Sequence, residues 1–289
     1  MGRPRLVAEQ DMQETVFNVL ADLALKATGQ AIPPSRAYLM EARLSPLARR
    51  EGFGTLSDLV HCLESRQNAV FRNEVASALL THDTWFFRER PVFDTVINTI
   101  LPERLDATQS GRLRVWCAGG SSGQEAYSLA MLLEDEPGAS LRGAKIEILS
   151  TDYCKYSTEK ARLGVYNHYE AQRGLSIFRL MKHFTRMDSG DWQANETIRS
   201  RVSFRQHNLM ETASGLGKFD LIFCRHVLSG MSKAARMRVA EVLVAQMAPG
   251  AVILLGEGES FQGLTDLLEP ARDIRQGWVE AGTANRAAA

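Results

Sequence analysis

The sequence lacks any long run of apolar residues. Among its 289 residues, no stretch approaches the roughly 20 apolar residues with which an α-helix spans a bilayer. The first ten residues, MGRPRLVAEQ, also lack the apolar centre of a secretory signal peptide. We therefore expect a cytoplasmic protein that does not insert into a membrane.

Cysteine is scarce, and neither sign of charge is in excess. The four cysteines, Cys62, Cys117, Cys154 and Cys224, show no C-x-x-C spacing of the kind used for zinc binding or thiol redox chemistry. The 34 basic residues balance the 34 acidic residues, whereas a nucleic-acid-binding protein usually carries a basic excess. The composition predicts a reduced protein with no metal site and no nucleic-acid partner.

The N-terminal part of the chain predicts helices. Apolar residues recur at helical spacing over residues 12–23 and again over 56–63. No segment before residue 110 has the pattern of a strand. We therefore place an all-helical domain at 1–90, followed by a connecting helix and a polar linker at 91–111.

From residue 112 onward, strand-like runs alternate with helical patterns. The strand-like runs are RLRVWCA, KIEILST, RVSFRQ, FDLIFC and GAVILLG. This alternation predicts an α/β fold, a Rossmann-like and mostly parallel sheet covered on both faces, over residues 112–280. The connection at about 164–200 is too long for a simple crossover, and its Ser-Gly turn favours a small β insertion. Residues 281–289 are expected to form a flexible tail.

The segment CAGGSSGQEAYSLAM, residues 117–131, carries the densest glycine cluster and allows three interpretations. Its G-x-S-x-G spacing matches the turn that presents a serine nucleophile, here Ser121. The helical region before it and the lack of any histidine after His226 disfavour a hydrolase. The same glycines can also let a cofactor approach the backbone. A turn that needs glycine only for its backbone angles is the third interpretation.

The position of this glycine loop favours the cofactor interpretation. The loop follows the first strand of the predicted sheet, where open parallel sheets bind ligands, and its G-x-x-x-G pattern does not indicate a pyrophosphate cradle. Asp152 ends the next strand, where a carboxylate typically binds a ribose diol. Glu125 begins the helix after the loop and can hold a cationic group. A cofactor with a ribose and an ammonium group but no phosphate is S-adenosylmethionine.

Six segments resemble one known family in residue type and in order. They are THDTWFFRE (81–89), AGGSSGQEAYSLAM (118–131), STD (150–152), Asn208-Leu209, FCRHV (223–227) and GEGES (256–260). The sequence resembles the chemotaxis receptor methyltransferases, the CheR family, from about residue 14 to residue 280. This resemblance implies transfer of a methyl group from S-adenosylmethionine to glutamate side chains on the helical bundles of chemoreceptors, as a step of chemotaxis signal transduction. S-Adenosylhomocysteine is the implied product.

The resemblance also implies a role for individual residues. The residues implied to contact the cofactor are His82, Thr84, Arg88, Glu125, Asp152, Asn208, Leu209, Arg225 and His226. Thr84 and Arg88 would close over the cofactor, and Arg88 would also steer the incoming carboxylate as the catalytic residue. Glu125 would hold the amino group, Asp152 the ribose, Asn208 and Leu209 the adenine. Arg225 would line the remaining wall.

The partners implied by the family are equally specific. The N-terminal helical domain would face the receptor, and the β insertion can dock a receptor tail. No metal is needed, because a glutamate carboxylate is already a nucleophile and the sulfonium is already a good leaving group. A monomer is expected.

Three departures from the family pattern put the cofactor pocket in doubt. The family usually has asparagine at the positions of His82 and His226, and a tyrosine where this chain has Ser229-Gly230-Met231. Its Gly-His-Ser-Glu pattern is here Gly-Glu-Gly-Glu at 256–259. Because protonated histidine repels a sulfonium, we hypothesise that affinity for S-adenosylmethionine falls with pH. The alternative function is a non-catalytic signalling module with an altered or lost cofactor site.

A basic stripe is a candidate receptor surface. Arg36, Arg43 and Arg50 recur every seven residues, with Arg49 beside them, so a continuous helix would carry them on one face. Such a face would suit a glutamate-rich bundle, although a solvated helix face has the same pattern. Pro46 is expected to bend or split this helix.

Overall fold

The computed structural model describes residues 3–65, 68–108, 110–135, 141 and 143–282. Most of the predicted tail at 281–289 therefore lies outside the described residues. Contacts within the chain define two compact units. The helical unit comprises the chain up to Thr81 together with Gly230–Arg236, and the sheet unit comprises His82–Ser229 and the chain from Met237 onward.

Four α-helices lie wholly within the described residues of the helical unit. They are α1 (Arg3–Thr28), α2 (Ala37–Arg50), α3 (Leu56–Ser65) and α4 (Ala69–Leu79), with a 3-10 turn at Pro34–Arg36 before α2. Buried Leu20, Leu44 and Leu59 form part of its core. Helix α2 continues through Pro46, so the expected break is wrong. No helix among the described residues is long and apolar enough to cross a membrane.

The sheet unit holds a seven-stranded sheet. Its strands are β1 (Arg112–Ala118), β2 (Lys145–Asp152), β6 (Val202–Gln206), β7 (Phe219–Cys224), β8 (Met247–Leu255), β9 (Leu268–Pro270) and β10 (Gly277–Glu280). Their order is β6-β2-β1-β7-β8-β10-β9. The first five are parallel, whereas β10 is antiparallel to both β8 and β9. The predicted Rossmann-like fold is confirmed.

Strand β7 shows why this sequence builds a sheet with both faces covered. All six of its residues are buried, which matches an apolar run without the alternation of a half-exposed strand. The helices beside and between the strands are α5 (Arg90–Thr95), a π-helical turn (Val96–Ile100), α6 (Leu101–Thr108), α7 (Gln124–Asp135), α8 (Lys155–Leu163), α9 (His168–Gln172), α10 (Ile177–His183), α11 (Glu196–Arg199) and α12 (Lys233–Val244). The first residues of α12, up to Arg236, belong to the helical unit, and the rest of α12 belongs to the sheet unit.

The predicted β insertion is a separate three-stranded sheet. Its antiparallel strands are β3 (Val165–Tyr166), β4 (Phe184–Arg186) and β5 (Trp192–Ala194), in the order β3-β5-β4. Tyr166 is fully buried, and its hydroxyl donates a 2.7 Å hydrogen bond to the carbonyl of Ser122. The insertion therefore supports the glycine loop directly.

Candidate functional site

The parallel strands end at one edge of the sheet, and the predicted site residues follow these ends. The register pairs Ala118 of β1 with Thr151 of β2, and Cys224 of β7 with Leu255 of β8. The segments that follow the five carboxyl ends are 119–123, 153–154, 207–209, 225–229 and 256–259, and Asp152 is the last residue of β2. This edge is where open α/β sheets bind their ligands.

The glycine loop presses closely against strand β2. The N–H groups of Gly119 and Gly120 both donate to the carbonyl of Thr151, each at 2.9 Å. A Cβ atom on Gly120 would lie 2.2 Å from the hydroxyl oxygen of Ser150, so no side chain fits there. Gly119 and Gly123 have positive φ angles of 78° and 89°, which glycine adopts without strain. Ser121 also has a positive φ, of 49°, which is costly for a residue with a side chain. The loop thus needs glycine for close approach as well as for its backbone angles.

The surroundings of Ser121 do not resemble a nucleophile elbow. The Ser121 hydroxyl lies 3.5 Å from the main-chain oxygen of His82, and its N–H donates to the Asp152 carboxylate. A serine nucleophile would instead pair with the imidazole of a general base. This geometry gives the hydrolase interpretation no support.

Asp152 links the glycine loop to helix α8. One carboxylate oxygen accepts the Ser121 N–H at 2.8 Å, and the other accepts the Cys154 N–H at 2.8 Å. Burial raises the pKa of Asp152, while the two backbone hydrogen bonds and the nearby charge of His82 oppose that rise. Carboxylate oxygens have further lone pairs, so Asp152 can still accept hydrogen bonds from a diol.

Arg225 is the centre of a buried ionic cluster. Its side chain is only 1 % exposed and lies 2.6 Å from a carboxylate oxygen of Glu125 and 2.8 Å from one of Glu89. It also donates to the carbonyl of Arg88 at 2.8 Å. Burial lowers the pKa of Arg225, but the charges of Glu125 and Glu89 outweigh burial and raise it. The cluster therefore holds one positive charge, on Arg225, and two negative charges, on Glu89 and Glu125.

Arg88 is positioned through its neighbours in the same segment. Its guanidinium donates to the carbonyl of Asp83 at 2.9 Å and lies 4.2 Å above the ring of Trp85. Arg173 stacks on the same ring at 4.0 Å and pairs with the Asp83 carboxylate at 2.6 Å. Burial lowers the pKa of Arg88, although an arginine keeps its charge in a protein. Thr84, which lies between Asp83 and Trp85 in the sequence, is half-buried.

His226 has an unusual backbone, and Glu259 stabilises it. His226 adopts a positive φ of 59°. The Glu259 carboxylate accepts the N–H groups of His226 at 2.6 Å, Leu228 at 2.7 Å, Ser229 at 3.0 Å and Gly256 at 3.0 Å. One carboxylate thus orders the loop that carries Arg225 and His226.

Asn208 and Leu209 form a turn after the edge strand β6. The Asn208 side-chain oxygen accepts the Met210 N–H at 3.0 Å, and Leu209 is buried. Their predicted place beside the adenine stays a prediction, as do the cofactor contacts of His82 and Thr84.

A family model described as "CheR methyltransferase, SAM binding domain" matches residues 82–274. The chain belongs to the CheR methyltransferase family. It is 33% identical over 243 residues to "Chemotaxis protein methyltransferase Cher2" of Pseudomonas putida, covering 83% of this chain and 88% of that protein. It is 35% identical over 248 residues to "Chemotaxis protein methyltransferase 1" of Vibrio cholerae serotype O1, covering 84% and 88%.

A solved structure of the glycopeptide N-methyltransferase MtfA with S-adenosyl-L-methionine is more distant. It shares 14% sequence identity and a TM-score of 0.33, over 54% of this chain and 53% of that one. The CheR-family match identifies the protein as an S-adenosylmethionine-dependent methyltransferase. It supports the enzymatic function and gives no support to the non-catalytic alternative.

Sequence reasoning missed two residues of this CheR-family site. In the sequence, Glu89 is only the last residue of the motif at 81–89, and Glu259 is only part of the departure at 256–259. Glu89 contacts Arg225, and its other oxygen lies 2.5 Å from His226 Nε2 in a close contact that is not aligned as a hydrogen bond. Three glutamates therefore surround the segment that follows β7: Glu89, Glu125 and Glu259.

Proposed function

We propose that this protein transfers the methyl group of S-adenosylmethionine to glutamate side chains on the helical bundles of chemoreceptors. The relatives named as chemotaxis protein methyltransferases support the receptor as the substrate. The observation that carries the proposal is the convergence of the glycine loop, Asp152 and the Glu125–Arg225 pair at one edge of the sheet. A monomer in the cytoplasm is the working arrangement.

The site residues suit the two ends of this cofactor. Asp152 would accept hydrogen bonds from the ribose hydroxyls, and Glu125 would pair with the amino group. Asn208 and Leu209 would flank the adenine, with Arg225 and His226 forming the opposite wall. His82 and Thr84 belong to the segment that would cover the cofactor.

Bound S-adenosylmethionine supplies a methyl group on a positively charged sulfur. In the proposed reaction, a new bond joins an acceptor carboxylate oxygen to the methyl carbon while the carbon–sulfur bond breaks. No proton moves, so the protein needs no general base. Its residues hold the two reactants in line and exclude water, an effect that can lower a barrier by roughly 7–11 kcal/mol. Arg88 would steer the acceptor carboxylate.

A cavity in the helical unit offers a place for an acidic substrate group. Arg36 and Arg43 both line it, together with apolar Leu39 and Met40. Burial, followed by the nearby charge of Arg36, lowers the pKa of Arg43. The Arg43 guanidinium donates to the carbonyl of Leu79 at 2.6 Å and to the Thr81 hydroxyl at 3.0 Å, and neither acceptor carries a charge. Two neighbouring guanidinium groups favour an anionic partner, such as a glutamate-rich helix.

Methylation of a purified receptor fragment tests the proposal. With methyl-labelled S-adenosylmethionine, we expect label in the fragment that is released by mild base, as a glutamyl methyl ester requires. A fragment with glutamine at every acceptor position is the matched control and should take up no label. Binding of S-adenosylmethionine and S-adenosylhomocysteine is measured in parallel by calorimetry. Binding without transfer to any receptor fragment would favour the signalling-module alternative, and absence of binding would overturn the cofactor site.

A further inference from the structure

Arg225 lies between two carboxylates, although one would satisfy it as an ion pair. Glu125 contacts one end of its guanidinium at 2.6 Å and Glu89 the other at 2.8 Å. All three side chains are largely buried, with exposures of 1%, 16% and 20% for Arg225, Glu125 and Glu89. An Arg225–Glu125 pair alone is neutral. Glu89 gives the cluster a net charge of −1.

Glu89 reaches this position at a cost in backbone energy. It has a left-handed conformation, with φ 56° and ψ 60°, immediately before α5 begins. Such a conformation is strained for a residue with a side chain and is often retained at functional sites. Glu89 accepts a long 3.4 Å hydrogen bond from the Glu257 N–H, in addition to its contact with Arg225.

The electrostatic surroundings keep Glu89 charged. Burial raises the pKa of Glu89, but its hydrogen bond with Arg225 and the charges of Arg225 and His226 outweigh burial and lower it. Arg88 is the other cation whose charge interacts with Glu89 and Glu125. The carboxylate is therefore ionised at neutral pH, next to the guanidinium whose charge it offsets.

We propose that Glu89 is a positioning residue for the ammonium group of the cofactor. Its charge cancels that of Arg225 and leaves the charge of Glu125 available to a cation. Arg225 at the same time fixes the Glu125 carboxylate in one orientation. This inference rests on the proposed role of Glu125 at the amino group. Glu89 itself need not touch the cofactor.

The binding of two thioether ligands without net charge can distinguish this role of Glu89 from a general role in folding. S-Adenosylhomocysteine carries the ammonium group, whereas 5′-methylthioadenosine lacks the whole amino-acid part. In the variant Glu89→Gln, we expect affinity for S-adenosylhomocysteine to fall about tenfold and affinity for 5′-methylthioadenosine to change by less than about twofold. Both dissociation constants are measured by calorimetric titration of the full-length protein, directly or by competition.

Glu134→Gln is the matched control. Glu134 pairs with Arg201 at 2.6 Å and lies at the far end of α7, about 13 Å along the helix from Glu125. We expect the Glu134→Gln variant to bind both ligands with the same affinity as the unmodified protein. Glu89→Asp keeps the charge and should retain the preference for S-adenosylhomocysteine, so it provides the test if Glu89→Gln does not fold.

The outcomes distinguish this inference from the proposed function. Equal losses for both ligands in Glu89→Gln, or no loss for either, would overturn the role of Glu89. A folded Glu89→Asp protein that lost the preference for S-adenosylhomocysteine would overturn it as well. Failure of the unmodified protein to bind S-adenosylhomocysteine would instead overturn the proposed function.

Discussion

Replacing Glu259 by glutamine should destabilise the sheet unit measurably. The carboxylate accepts four backbone N–H groups, two on each oxygen. Glutamine keeps one acceptor oxygen and turns an NH₂ group toward the other two donors. Hydrogen bonds to charged groups contribute about 1.5–3 kcal/mol each. Because Glu259 is half-exposed and water can reach it, we expect a loss of about 2–4 kcal/mol rather than the full sum.

The assay is urea unfolding followed by circular dichroism, with thermal unfolding in parallel. A loss of this size lowers the melting temperature by roughly 5–15 °C in a domain of about 200 residues. Glu257→Gln is the matched control, since its ion pair with Arg275 is 68% and 84% exposed and contributes little. If Glu259→Gln had the same urea midpoint and melting temperature as Glu257→Gln and the unmodified protein, the four hydrogen bonds would not stabilise the fold.

Three further predictions concern the pocket and the departures from the family. Gly120→Ala should lower the free energy of unfolding by about 1–3 kcal/mol, because its Cβ would meet the Ser150 hydroxyl. It should also weaken S-adenosylmethionine binding in calorimetry, and an unchanged melting temperature would contradict the close packing. Gly230→Tyr should lower stability by less than Gly120→Ala, because a Cβ there would lie 2.1 Å from the Gln30 side-chain oxygen, the end of a flexible side chain that can move. Adding Gln30→Ala should recover part of that loss in urea unfolding, and purely additive effects would contradict the contact. The pair of changes His82→Asn and His226→Asn should raise affinity for S-adenosylmethionine at acidic pH in calorimetry, because protonated histidine repels a sulfonium; unchanged affinity would refute the histidine hypothesis.

The parts of the fold that the sequence predicts are those that local patterns determine. Strand β7 is predictable because six consecutive apolar-rich positions, FDLIFC, suit a strand covered on both faces. The glycine loop and Asp152 are predictable because the loop directly follows one strand and Asp152 ends the next, so their place on the sheet edge comes from chain order. A site residue is therefore predictable where it lies at the end of a strand or directly after it.

Contacts between distant parts of the chain are not predictable in this way. Glu89 and Arg225 are 136 residues apart, and Glu259 reaches His226 across 33 residues. Nothing in the neighbourhood of either glutamate indicates its partner. The continuation of α2 through Pro46 also depends on contacts with distant parts of the chain. Leu44 and Leu47 are buried on both sides of the proline, and this tertiary packing offsets the lost helix hydrogen bond.

The division of the chain into two units restricts how this enzyme can be shortened. The segment Gly230–Arg236 belongs to the helical unit. Its backbone is paired there, since the Ala31 N–H donates to the Gly230 carbonyl and the Ser232 N–H donates to the Gly29 carbonyl, each at 2.9 Å. A gene fragment that starts at His82 would keep this segment without its partner and would leave the Gly230 carbonyl and the Ser232 N–H without these hydrogen bonds. Gene fission or domain exchange at that boundary would therefore have to supply residues 29–31 from elsewhere.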